Sequence, residues 1–309
     1  MRTISSKQLF PMFLRGLVSV LKGKVFSLFS FRRRVLRRRA SIAGLVLALV
    51  VGLGVATTGP ASAVEPLRTD PNNIVGGTQL DMPRVPCTAA FVLSSIGFWD
   101  NLTAYRRAIR YVATTGHCGN EGDVVKVGGS VVGKVYYKAD DADLMLVRVV
   151  PTTRRSRYCH FEVKGYTCTM IMHSAPRAFN RVIIYHPGLH GYATVPVVNY
   201  SDGAGNALFF CTSGIVGSYT CLWRPISPPE PVREGEKTAE GPLGLGGPGD
   251  SGGPVFSSTN DRNPLSGVTL YGMIVGGYRG ERERTKMRYL SAAFFLDGGA
   301  GTAFSLAPS

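Results

Sequence analysis

The first 63 residues contain no Asp and no Glu, no Cys falls before position 87, and the whole 309-residue chain has five His and two Trp. Each scarcity excludes something. The acid-free segment carries eleven Lys or Arg, so it accounts for most of the formal net charge of +15. Setting it aside leaves 24 of the 35 basic residues against all 20 acidic ones, a net charge of +4. The remainder is too nearly balanced to suggest a nucleic-acid partner, which would need a concentrated basic face. No Cys-x-x-Cys occurs, and the His are scattered, so the sequence carries no spaced metal-ligand cluster. His186 and His190 are four apart, but Pro187 and Gly188 lie between them and break the helix that would aim both at one ion. No metal and no other cofactor is expected. Long amphipathic helical patterns are missing after residue 64, and no internal repeat is evident, which removes helical bundles and solenoids.

The basic segment reads as an export signal. Arg37-Arg38-Arg39 precedes an uncharged stretch from Ala40 to Val64, densely apolar from Ile42 to Ala56. Gly59-Pro60-Ala61-Ser62-Ala63 supplies the small-x-small exit that a signal peptidase cuts, here after Ala63. Residues 1–63 are therefore expected to be a signal peptide with an extended basic start, and the protein to be secreted. The apolar part is shorter than the roughly 20 residues that span a bilayer; left uncleaved, it would be a membrane anchor. Arg32-Arg33-Arg34-Val35-Leu36 loosely resembles a twin-arginine signal. Contact with the membrane is otherwise expected only in transit. All six Cys follow the signal, at 87, 118, 159, 168, 211 and 221. An even number in an exported chain reads as three disulfides, with 15 pairings open.

Residues 64–73 form a short propeptide or linker, and residues 74–309 are long enough for one large all-β domain or two small barrels. Short runs rich in Val, Ile, Tyr and Thr alternate with Gly, Asn, Asp and Pro every eight to twelve residues or so. Strands are expected near residues 88–93, 109–114, 131–137, 144–150, 182–185, 193–198, 219–223 and 268–275, with a short helix near the C-terminus. The Pro-, Gly- and Glu-dense stretch from Ile226 to Gly249 is expected to be a loop, either a linker or the approach to a rigid functional turn.

That loop ends in Gly249-Asp250-Ser251-Gly252-Gly253-Pro254. Glycines beside a Ser let the backbone take positive φ and let a substrate come close. Such a turn aims the N–H groups of Gly249 and Ser251 at one point, where an oxyanion would form. A Ser hydroxyl needs an imidazole base and a carboxylate to orient that base. Thr114-Thr115-Gly116-His117-Cys118 and Asp143-Leu144-Met145-Leu146-Val147 supply them. Asp141 competes with Asp143 for the orienting role, and a His between Gly and Cys is more often an ordinary loop histidine.

Together these motifs resemble the chymotrypsin- or trypsin-like serine peptidases, whose triad runs His, Asp, Ser along the chain. Ile74-Val75-Gly76-Gly77-Thr78 is similar to the mature amino terminus of that family. The short interval between His117 and Asp143 fits the bacterial, actinobacterial-like secreted branch of streptogrisins and α-lytic proteases. The resemblance implies two six-stranded antiparallel β-barrels, at about residues 74–150 and 170–295, with the active site in the cleft between them. It implies a monomeric secreted endopeptidase acting on proteins or peptides, with His117, Asp143 and Ser251 catalytic. It also implies Cys87–Cys118 and Cys211–Cys221, which leaves Cys159 with Cys168. The family's usual disulfide at the specificity pocket is missing.

The resemblance makes Asp250 a buried partner that shapes the oxyanion turn. Bacterial relatives commonly place an Arg where this chain has Thr212, so another cation is expected at Asp250. The leading candidate is the amine of Ile74, freed by a cut after Asn73 in a zymogen; Arg181 or another basic residue is the alternative. Alignment from Ser251 puts Leu245 at the pocket floor and Val275-Gly276-Gly277 on the substrate-pairing strand, implying a hydrophobic side chain before the scissile bond. The competing reading is a double barrel kept as a catalytically silent binding module, suggested by Val275, Thr212 and the missing disulfide.

Overall fold

The computed structural model describes residues 65–309 except 163–164, 205–208, 229–230, 242–245, 261, 278–285 and 299–301. The expected export signal, its expected exit at Ala63 and the expected pocket floor Leu245 lie outside the described residues. No helix among the described residues is long and apolar enough to cross a membrane.

The chain is all-β. Its early strands are β1 (Ile74–Gly76), β2 (Gln79–Leu80), β3 (Cys87–Thr88), β4 (Val92–Ser95), β5 (Arg110–Thr114), β6 (Val124–Val127), β7 (Ser130–Lys138) and β8 (Met145–Val149). A hairpin of β9 (Thr152–Glu162) and β10 (Gly165–Ala175) follows, then β11 (Ala178–His186) and β12 (Gly191–Tyr200). The later strands are β13 (Phe210–Ser213), β14 (Tyr219–Ile226), β15 (Glu236–Glu240), β16 (Pro254–Ser258), β17 (Val268–Gly277), β18 (Lys286–Ser291) and β19 (Phe304–Leu306). Two short helices, α1 (Ala104–Arg107) and α2 (Ala292–Leu296), interrupt them. Ser291 caps α2 by accepting from Phe294 N.

Two six-stranded antiparallel arrangements carry the fold, as the double-barrel reading requires. The first is a sheet ordered β19-β4-β5-β8-β7-β6. The second is closed: β17-β16-β13-β14-β15-β18 returns to β17 through the β17–β18 ladder. The strands β1, β11 and β12 extend the second sheet to nine, with parallel pairings β1–β11 and β12–β17 that the sequence reading did not contain.

Alternation explains why these segments become strands with both faces covered. In β8, Met145, Val147 and Val149 point into the first barrel with Val112, Val125 and Val132. Leu144 and Leu146 point the other way, into an apolar layer shared with Phe256, Leu270, Met273 and Val275 of the second barrel. The second barrel is filled by Phe210, Trp223, Val255, Tyr271, Met287 and Tyr289. The shared layer fixes one barrel on the other.

Three expectations are corrected. The stretch from Ile226 to Gly249 is not all loop, because β15 pairs with both β14 and β18. The first sheet is not confined to the first half of the chain, because β19 pairs with β4. The hairpin β9–β10 was not expected at all; Cys159 and Cys168 face each other across it and are bonded. The other disulfides are Cys87–Cys118 and Cys211–Cys221.

Tyr289 is 1% exposed, and burial pushes its phenol from the ordinary 10.0 up to about 12. The unfolded chain therefore ionises first as pH rises. Stability from the neutral phenol is intact below pH 10.0 and is lost as pH climbs toward 12. Urea unfolding above and below pH 10.0 should show Tyr289→Phe losing less stability with alkali than the parent.

Candidate active site

His117 sits in a single 3-10 turn, Gly116–Cys118, directly after β5, and Asp143 lies just before β8. These strands are paired, with Thr114 opposite Met145, so the two side chains emerge from adjacent strand ends. Asp143 Oδ2 lies 2.7 Å from His117 Nδ1, and its Oδ1 accepts from the His117 backbone N–H at 2.9 Å. Asp141, the competing carboxylate, is exposed and makes neither contact. Burial works to raise the Asp143 pKa, but the hydrogen bonds and charge of His117, with Arg233 beyond, hold it below the ordinary 3.8. The Cys87–Cys118 bond pins the turn on one side. It also removes both sulfurs beside His117 as metal ligands.

Ser251 belongs to the second barrel, and its turn is fastened to the first. Thr88 N donates to Ser251 O at 2.8 Å, Thr88 Oγ1 to Gly249 O at 2.7 Å, and Thr114 Oγ1 to Thr88 O at 2.9 Å. Thr114 is three residues before His117, so the same contacts bring the Ser turn to the His-bearing strand end. The turn needs its glycines: Gly249 has φ +114° and Gly252 φ +86°. A Cβ on Gly252 would collide with Thr88 O and Thr114 Oγ1. Among the described residues, the N–H groups of Gly249 and Ser251 have no acceptor, which leaves both for a ligand oxygen. The Ser251 hydroxyl and the His117 ring make no hydrogen bond to each other; catalytic hydrogen bonds commonly tighten only around substrate.

Asp250 is 4% exposed. Its Oδ1 accepts from Val216 N and Gly217 N, at 2.7 and 3.0 Å, and its Oδ2 from Gly217 N and Gly247 N, at 2.8 and 2.9 Å. The carboxylate thereby ties the loop after β13 to the turn that carries Ser251. Neither expected cation meets it in the intact chain. The Ile74 N–H donates to Arg177 O in the β1–β11 pairing, and Arg181 is held by Thr194 on the β11–β12 hairpin.

Beside Ser251 opens a cavity of about 630 Å³. Gly276 and Gly277 line it, as expected, with Thr220, Trp223 and Lys286, which the sequence reading missed. Val275 does not: strand alternation turns it into the layer between the barrels, where it is 4% exposed. A second cavity, about 310 Å³, adjoins His117 and Asp143 and is bordered by Lys138, Arg233 and Arg288.

No family model matches the sequence, and no curated protein matches it. Solved structures do. Thermobifida fusca protease A aligns over 77% of this chain and all of its own, at 20% identity and TM-score 0.49. Nocardiopsis protease aligns over 73% of this chain and 95% of its own, at 22% and 0.46. A glutamic acid-specific serine protease aligns over 75% and 99%, at 19% and 0.48.

Gly252→Ala tests the fastening of the Ser turn. Substitution should lower stability and slow reaction of Ser251 with an acylating probe by at least about tenfold, since the turn must shift away from Thr88 and Thr114. Thermal unfolding and probe kinetics on one sample measure both.

Proposed function

We propose that the protein is a secreted, monomeric serine endopeptidase that hydrolyses peptide bonds in protein or peptide substrates. The observation that carries this is the His117–Asp143 pair, set on a strand end that is hydrogen-bonded to the turn holding Ser251. In this reading residues 1–63 export the chain and are removed.

Ser251 Oγ attacks the peptide carbonyl carbon while His117 Nε2 takes the hydroxyl proton. Asp143 fixes the imidazole with its proton on Nδ1 and stabilises the imidazolium. The carbonyl oxygen becomes an oxyanion facing the N–H groups of Gly249 and Ser251, each donor worth about 3 kcal/mol in the transition state. His117 then protonates the leaving amine, and the acyl-enzyme remains. Water, deprotonated by His117, attacks the ester carbon and releases the acid and Ser251. The chemistry uses only these side chains and backbone groups.

Trp223, Ile274 and Met287 in the 630 Å³ cavity favour a hydrophobic side chain before the scissile bond. Lys286 on the same wall favours an acidic one, and a panel of peptide substrates differing at that position decides between them.

Protein exported to the medium should react with a fluorophosphonate probe, and Ser251→Ala should abolish the labelling while leaving the unfolding temperature near the parent value. A folded parent that resists labelling would instead indicate the binding module. Because Asp143 is held below 3.8, it stays ionised through the neutral and mildly acid range in which the triad would work. The stability that Asp143 contributes is present above 3.8 and is lost as pH falls through its lower folded value. Asp143→Asn should therefore flatten the acid end of the stability curve and lower kcat by about 10⁴, as a wrongly held tautomer does.

A further inference from the structure

Arg68 is the most deeply buried charge among the described residues, and the serine-peptidase chemistry above does not use it. It lies in the segment between the export signal and Ile74, on a short 3-10 turn, yet it is 3% exposed. Its guanidinium donates to Gly77 O at 2.8 Å and to Ser213 Oγ at 3.2 Å, and lies 5.6 Å over the ring of Tyr192. These partners come from three separate parts of the chain, and all three back the wall of the 630 Å³ cavity.

Ser213 ends β13, and the next residue, Gly214, packs so tightly on Asp250 that a Cβ there would collide with its carboxylate. Tyr192 reaches the same wall through its hydroxyl, which bonds to Ser218 Oγ. Ser218 lines the cavity, holds a left-handed backbone at φ +55°, and accepts from Gly214 N at 2.9 Å. A non-glycine residue held in that region must be fixed by its surroundings. Arg68 thus stands behind both Ser213 and Ser218, and the negative charge of Asp250 acts on its guanidinium from the far side of Gly214.

We infer that residues 65–73 remain part of the working protein as a strap, and that Arg68 is a positioning residue that holds the Ser213–Ser218 wall against Asp250 and the Ser251 turn. The strap is built for retention. Arg177 Nε donates to Pro71 O at 2.8 Å, and Gly128 lies so close to Thr69 O that a Cβ would not fit. A cut after Asn73 would remove Arg68 and leave Gly77 O and Ser213 Oγ without their donor. This reverses the activation expected from the sequence: cleavage before Ile74 inactivates rather than activates.

The inference rests on the serine-peptidase reading, and the experiment separates the two. Four exported proteins are compared: the parent chain, a chain whose leader is joined directly to Ile74, Arg68→Met and Arg68→Lys. Each is assayed for fluorophosphonate labelling rate and for unfolding temperature. The mature parent should begin upstream of Arg68, by amino-terminal sequencing. The Ile74 chain and Arg68→Met should label about ten- to a hundredfold more slowly, the effect of losing hydrogen bonds to a charged group. Arg68→Lys should recover part of the rate, and millimolar methylguanidinium should recover part of it in Arg68→Met, which a general loss of packing would not permit.

If the Ile74 chain does not fold, Arg68→Met carries the test in its place. A folded Ile74 chain that labels as fast as the parent or faster, or Arg68→Met labelling at the parent rate, overturns the strap while leaving the peptidase intact. If no folded form labels, the peptidase reading fails and the inference falls with it.

Discussion

A buried carboxylate that accepts from backbone amides on two different loops constrains the active site more tightly than an apolar contact could. Asp250 takes Val216 and Gly217 N–H groups from one side and Gly247 N–H from the other. Each amide would be unsatisfied without it, and the carboxylate would be unsolvated without them, so neither half is stable alone in that place. The geometry also dictates residue types. Gly214 and Gly217 lie where a Cβ would meet the Asp250 carboxyl group, and Gly249 must hold φ +114° for the next residue to point inward. The glycines of the loop after β13 are therefore the steric consequence of burying Asp250 among backbone groups, while Gly252 is required by the close approach of Thr88 and Thr114.

That constraint propagates outward to the first barrel through Thr88, which binds the carbonyls of Gly249 and Ser251 from opposite ends of its own side chain and backbone. Thr88 is wholly buried and is itself held by Thr114. A Ser or Ala at either threonine would leave space or an unmet carbonyl next to the nucleophile. His117 follows Thr114 by three residues, so His117 and Ser251 are located by one short hydrogen-bonded path rather than by the global docking of two barrels.

Much of this was legible in the sequence because it is written in local patterns. The apolar run from Leu144 to Val149 directly after Asp143, and the glycine-flanked Ser251, state their conformations directly. What was missed depends on long-range placement. Arg68 sits among Pro66, Leu67 and Thr69 with nothing to mark it as buried; its partners lie 9, 124 and 145 positions away. The β9–β10 hairpin was invisible for the opposite reason. Its strands are exposed on both faces, and β9 is rich in Arg, so they lack the apolar alternation that identifies a strand packed on a core. Val275 was placed on the substrate-pairing strand with Gly276 and Gly277 by alignment, whereas only the two glycines line the cavity beside Ser251 and Val275 is buried behind them. Leu270, Val275 and Phe256 instead serve the layer between barrels.

The ends of the described chain show how that layer is kept rigid. Strand β1 precedes the first sheet in sequence but pairs with β11 of the second, and β19 follows the second sheet but pairs with β4 of the first. Each sheet thus contains a strand from the far end of the chain, and separating the sheets requires breaking backbone ladders as well as the apolar layer. Two sheets joined in this way have no free hinge between them. A ligand reaching the cavity beside Ser251 would meet a wall already formed, and any change there has to come from elements that can be removed or shifted locally. The segment before Ile74 is such an element: it carries one buried charge, touches the pocket wall from behind, and ends at a strand that covers one edge of β11.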